Sequence, residues 1–161
     1  MKNMKTALIY YSYEGNSALI AEAVKAGLAV DVFEIKTVNT KKRKGFTKYL
    51  WGGYQAVMGR KPALLPLSVD VNAYDLIILG TPVWAGSPAP ALVSFLSKTA
   101  ITGKKLALFC CHAGGKGKVF AKIKSRLPGN TFVGEIDFLN PALQEKTALK
   151  QKVVEWVKSL A

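Results

Sequence analysis

Histidine occurs once and cysteine twice in these 161 residues. One imidazole and two adjacent thiols, His112, Cys110 and Cys111, offer no spacing that would fill a metal's coordination shell. No metal site is expected. Neighbouring residues of a strand face opposite sides of the sheet, which argues against a structural disulfide between the two cysteines. Reduced, buried thiols in a cytoplasmic protein are the expectation. Long apolar runs are also missing. None reaches the ~18–20 residues that span a bilayer. The apolar run near the N-terminus is short and lacks a small-residue cleavage pattern, so no signal peptide is expected. No G-K-[ST] motif is present, which makes a nucleoside triphosphate with magnesium a poor ligand for this chain. Internal repeats, low-complexity segments and linkers are absent, and the length suits a single domain over residues 1–161.

Acidic residues are scarce: 10 Asp and Glu stand against 23 Lys and Arg, a formal net charge of +13. The two signs are segregated. Residues 37–61 hold seven basic residues and no acidic one: Lys41, Lys42, Arg43, Lys44, Lys48, Arg60 and Lys61. Residues 76–134 again contain no acid, against eight Lys or Arg. Such a surface attracts polyanions, anionic membranes or an acidic protein partner, and it speeds encounter.

What is present is organised around residues 7–17. Ala7, Leu8, Ile9, Tyr10 and Tyr11 form a β-rich apolar run that stops at Ser12. The turn Ser12, Tyr13, Glu14, Gly15, Asn16, Ser17 follows, and then apolar residues at helical spacing to about Leu28. This is a strand, a tight loop and a helix start. The first turn of a helix has unpartnered N–H groups and the positive end of the peptide dipole. An anion in the loop meets both. Ser12, Asn16 and Ser17 add neutral donors, and Gly15 permits positive φ. A single phosphate monoester suits this set.

Further along, residues 30–35 alternate apolar and acidic and predict a half-buried strand near an edge. Residues 39–45 predict a basic loop, and 46–58 a short aromatic helix weakened by Gly52 and Gly53. An extended connector is expected over 61–67. Residues 75–80 and 105–111 are continuous apolar strands of the kind buried on both faces of a parallel sheet. Each empties into a small-residue loop and then a helix, the first over 89–97 and the second ending near Leu127. A last strand over 131–139 leads to an amphipathic closing helix over 142–160, with Leu143, Leu149, Val153, Trp156, Val157 and Leu160 on its apolar face. This order predicts an α/β three-layer sandwich: a five-stranded parallel sheet with helices on both faces. Ligands of such sheets bind beyond the carboxyl ends of the strands, where strand order reverses.

Three loops leave strands on that edge. The first offers a phosphate site. The second, with Thr81, Pro82, Val83, Trp84, Ala85 and Gly86, offers an indole and several backbone groups beside a planar ring. The third, with His112, Ala113, Gly114, Gly115, Lys116 and Gly117, is glycine-rich and basic. A ligand with one phosphate and one flat heterocycle satisfies all three, and FMN is such a ligand. On these residues the chain resembles the flavodoxin family over nearly its whole length. Ser12-Tyr-Glu-Gly-Asn-Ser17 is similar to that family's phosphate loop, [ST]-x-x-G-x-[ST]. Gly80-Thr-Pro-Val-Trp84 with Gly86 is similar to the loop that places an aromatic on the isoalloxazine. The resemblance implies FMN as cofactor and strand order 2-1-3-4-5. It implies that Ser12, Tyr13, Glu14, Gly15, Asn16 and Ser17 surround the phosphate, with the Glu14 carboxylate turned outward. Thr81, Pro82, Val83, Trp84, Ala85 and Gly86 would line the ring, and His112, Ala113, Gly114, Gly115 and Gly117 would form the third side.

Two departures qualify the resemblance. Electron-carrying flavodoxins are typically acidic, and a basic surround favours the reduced flavin anion instead, through Coulomb attraction that water and salt partly screen. The third loop also lacks the aromatic that often covers the flavin there, which leaves one ring face for a substrate or for the aromatic segment 49–54. The leading expectation is a flavodoxin-like electron-transfer protein that delivers electrons to an acidic redox partner. The alternative is an NAD(P)H-dependent FMN or quinone reductase acting on small molecules. Nucleic-acid binding through residues 41–60 ranks last, because it leaves the three loops unexplained.

Overall fold

The computed structural model describes residues 3–38 and 61–161. The basic loop and aromatic helix expected over 39–58, and the nucleic-acid region 41–60, lie outside the described residues.

The strands form where the apolar runs predict them. β1 spans Thr6–Tyr11, β2 Asp31–Ile35, β3 Leu76–Trp84, β5 Lys105–His112 and β6 Thr131–Leu139. They pair in parallel in the order β2-β1-β3-β5-β6. Counting only these parallel strands, this is the expected order 2-1-3-4-5. β2 lies at an edge, as its alternating pattern predicts. An additional two-residue strand, β4 (Ser87–Pro88), folds back antiparallel on the end of β3.

Among the described residues four helices flank the sheet: α1 (Asn16–Gly27), α2 (Pro90–Lys98), α3 (Val119–Arg126) and α4 (Lys146–Lys158). Side chains alternate across each strand, so the core has two layers. On one side Ile9, Ile77, Leu79 and Leu108 meet Leu92 and Phe95 of α2 and Phe120 and Ile123 of α3. On the other, Leu8, Ile78, Ala107 and Phe109 meet Ile20 and Val24 of α1 and Leu149 and Val153 of α4. Cys110 belongs to the first layer and Cys111 to the second, as strand alternation requires, and both are free thiols. No helix among the described residues is long and apolar enough to cross a membrane.

Two boundaries differ from expectation near the ligand edge. β3 does not stop at Gly80. It runs on through Thr81, Pro82 and Val83 to Trp84, because the first two pair with Cys110 and Cys111 of β5, and Val83 and Trp84 pair with β4. The closing helix begins at Lys146 rather than at 142, because Glu145 supplies its cap: its carboxylate accepts from Thr147 N–H at 2.8 Å and Ala148 N–H at 2.7 Å. Residues Pro141–Leu143 form a separate 3-10 turn, and Leu143, expected in the core, is 84% exposed. The connector after Lys61 pairs with the chain beyond β2: Val38 N–H donates to Ala63 O at 2.9 Å, and Leu65 N–H to Lys36 O at 2.8 Å.

Candidate functional site

At the carboxyl ends of β1, β3 and β5 lies a cavity of about 450 Å³. Its first wall is the β1–α1 turn, with Tyr13, Glu14, Asn16 and Ser17. Its second is the β3–β4 hairpin, with Pro82, Val83, Trp84 and Ala85. Cys111, His112 and Ala113 make the third. A fourth wall, which the sequence did not signal, comes from Asn140, Ala142 and Leu143 after β6.

The first wall has the chemistry of an anion site. Gly15 adopts φ 100°, a left-handed conformation that a side chain would strain, and it opens α1. The first intrahelical bond runs from Leu19 N–H to Gly15 O at 2.9 Å, so the N–H groups of Asn16 and Ser17 precede any helical acceptor. Ser12 Oγ accepts from Ala18 N–H at 3.2 Å and keeps its own O–H to donate. Ser17 is 1% exposed, and its hydroxyl makes no hydrogen bond within the protein. A buried donor of this kind at a helix start is what a phosphate oxygen would satisfy. Asn16 Oδ1 accepts from Ala142 N–H at 3.0 Å, which leaves the amide NH2 as the free half of that side chain.

The second wall is tied down by aromatic packing and buried hydrogen bonds. Trp84 packs edge-on against Tyr11 (centroids 6.2 Å apart, planes at 82°) and Tyr13 (5.4 Å, 89°). Thr81 is fully buried and does not line the cavity; its hydroxyl accepts from Ala89 N–H at 3.0 Å and donates to Pro82 O at 2.8 Å. Gly86 meets the third loop, where its carbonyl accepts from Lys118 N–H at 3.1 Å.

In the third wall His112 ends β5 rather than sitting in the loop beyond it. Its Nε2 lies 2.8 Å from Asp137 Oδ2, and Lys116 Nζ is 3.2 Å from Asp137 Oδ1. The imidazole is nine-tenths buried, and Nδ1 has no hydrogen-bond partner. The hydrogen bond from His112, with help from Lys116, holds the Asp137 carboxyl below the usual carboxylate range. Burial pushes the Cys111 thiol up to about 12. Burial likewise raises Cys110 to about 12, so both sulfurs are unreactive thiols at neutral pH.

Of the residues expected from sequence, Tyr13, Glu14, Asn16, Ser17, Pro82, Val83, Trp84, Ala85, His112 and Ala113 share the cavity. Ser12, Gly15, Thr81, Gly86, Gly114, Gly115 and Gly117 do not line it; Ser12, Gly15, Thr81 and Gly86 shape the walls from behind. Asp137, Asn140, Ala142 and Leu143 had no local signal, because only sheet pairing across β5 and β6 brings them here.

A family model described as NADPH-dependent FMN reductase matches residues 4–156. No curated protein matches the chain. Among solved structures, the chain is similar to a flavoprotein in complex with FMN from Lactobacillus acidophilus NCFM (23% identity, 96% of this chain and 99% of that one, TM-score 0.75). It is similar to two-electron reduced flavodoxin from Megasphaera elsdenii (21% identity, 94% and 99% covered, TM-score 0.55). Oxidised flavodoxin 2 from Bacillus cereus matches at 20% identity, with 97% of each chain covered and a TM-score of 0.59. At these identities the solved structures establish the fold.

Proposed function

The chain belongs to the NADPH-dependent FMN reductase family, and on that premise we propose that it is an FMN-dependent oxidoreductase fed by a reduced nicotinamide dinucleotide. FMN is its cofactor, and when bound it supplies the hydride- and electron-accepting chemistry. The residues present fit that group. The start of α1 with the unpartnered Ser17 hydroxyl would hold the phosphate. Trp84, Pro82 and Val83 would bound the ring on one side, and His112 with Ala113 on another.

One observation carries the reductase reading. The third wall contributes His112 and Ala113 to the cavity, and residues 113–118 contain no Phe, Tyr or Trp. A chain that only shuttles electrons gains from covering its flavin, whereas a reductase needs room for two small molecules in turn. The glycine-rich loop supplies no aromatic side chain to fill that room.

A second reading, electron delivery to an acidic partner protein, is favoured by the exposed Lys116, Lys118 and Lys122 beside the same wall. The test is an absorbance titration with FMN, followed by NADPH and NADH oxidation with a quinone as acceptor. Tight FMN binding and steady turnover of one nucleotide are expected. Binding without turnover, together with a stable one-electron state during dithionite reduction, would transfer the assignment to the second reading. A folded protein that ignores FMN would sink both.

A further inference from the structure

We propose that Asn140 is a cofactor-binding residue, its carboxamide NH2 donating to the phosphate of FMN. The proposal rests on the FMN reading above and adds to it a contact from the fourth wall.

The cavity has an electrostatic peculiarity. Among the described residues no lysine or arginine lines it, and Glu14 does. An anion held here depends on neutral donors. The start of α1, Ser17 and the Asn16 amide are three such sources, and Asn140 lines the same cavity.

The backbone of Asn140 is unusual. It adopts φ 42° and ψ 61°, and only Ala85 is a second non-glycine residue of positive φ among the described residues. Asparagine tolerates that region better than most residues do. It also stands at the cap of the 3-10 turn Pro141–Leu143, where asparagine ordinarily accepts a hydrogen bond from the first turn. Here it makes no capping bond. The carboxamide is therefore not spent on the turn it introduces.

Its position is fixed from both sides. Asn140 N–H donates to His112 O at 2.8 Å, which ties it to the third wall. Two residues on, Ala142 N–H donates to Asn16 Oδ1 at 3.0 Å, which ties the turn to the first. Gln144 Nε2 closes the turn on Leu139 O at 2.6 Å. The link from Ala142 to Asn16 orients the Asn16 carboxamide. It engages the oxygen of Asn16, so the NH2 remains, and it brings the start of the Asn140 turn against the start of α1. A phosphate seated there meets donors from both loops.

The alternative is that Asn140 is present only because its backbone is left-handed. Asn140→Gly and Asn140→Asp separate the two explanations, since both residues accept that conformation. Each variant is titrated with FMN and with riboflavin, which lacks the phosphate, and its thermal unfolding without flavin is recorded. Losing a hydrogen bond to a charged group should weaken FMN about tenfold to a hundredfold in Asn140→Gly, while unfolding stays where it was or rises. Asn140→Asp should weaken FMN further, because a carboxylate replaces a donor. Riboflavin affinity should change less than about threefold in either variant, a shift too small for a lost charged contact. FMN affinity unchanged in both variants would overturn the proposal, as would equal weakening of FMN and riboflavin. If Asn140→Asp fails to fold, Asn140→Gly carries the test alone. A parent protein that does not bind FMN would defeat the FMN reading itself, whereas a binding parent with indifferent variants would defeat only the role of Asn140.

Discussion

His112 is the only imidazole in the chain, and Asp137 decides how it is held. The carboxylate accepts from Nε2 at 2.8 Å, so that nitrogen carries the proton while Asp137 is ionised. The same contact, with Lys116, lowers the carboxyl's pKa in the folded protein relative to its ordinary value. The direction of the linkage follows. A carboxyl whose folded pKa is depressed stabilises the fold above its unfolded pKa, and that contribution disappears as pH falls through the folded value. Asp137→Asn keeps the shape and removes the charge. Asp137's side chain is 37% exposed, so solvent screens the pair and the expected loss at neutral pH is roughly 1 kcal/mol. Thermal unfolding of both proteins, followed from neutral pH into the acid range, checks this. The gap should close in acid, where the parent loses its charge too. A gap of constant size would mean that packing, not the ion pair, accounts for it.

At the scale of elements, the site depends on how the β3–β4 hairpin meets the loop before α3. The two backbones touch at Gly86 and Gly117. A Cβ on Gly117 would lie 2.6 Å from Gly86 Cα, and Gly117 already has φ 54°. Lys118 N–H then bonds Gly86 O at 3.1 Å, and Lys122 Nζ reaches Ser87 Oγ at 2.5 Å. Gly117→Ala adds left-handed strain of ~1–2 kcal/mol and a collision with backbone that cannot rotate away. It should lower thermal stability and loosen the second and third walls together, so FMN affinity falls as well. Unchanged melting and unchanged affinity would show that the two loops do not need their close approach. This contact also marks where the sequence stops being legible. β1, β3 and β5 were readable because a strand buried on both faces must be a continuous apolar run. The extension of β3 was not, since Gly80, Thr81 and Pro82 carry turn chemistry and only pairing with β5 and β4 holds them extended. Leu143 fits the helical spacing of the closing helix, yet Glu145 caps that helix three residues before Ala148 and strands Leu143 outside. The β1–α1 turn was legible as a candidate wall because its polar residues are contiguous. Asn140 was not, because its backbone partner His112, and Asn16, which holds the turn through Ala142, are remote in sequence.

Over the whole molecule, the charge and the cavity are separate devices. The chain carries +13, but no cation lines the cavity among the described residues. Lys116, Lys118 and Lys122 stand exposed on the third loop and the start of α3 instead. Charges in that position guide an anion towards the opening without binding it at the end of its path. Steering of this kind acts through water and is screened over about 8–10 Å at ordinary ionic strength. Reduced, FMN-loaded protein should therefore pass electrons to ferricyanide, an anion, with a second-order rate constant that falls about tenfold as salt rises from low to physiological levels. A neutral quinone should show little change over the same range. The comparison is internal, because both acceptors draw on the same reduced flavin, and a salt effect on the flavin itself would move both rates. Equal salt dependence for the two acceptors would remove the steering argument. It would leave the lysines as surface charge alone, and the proposal of an acidic partner would lose its physical basis.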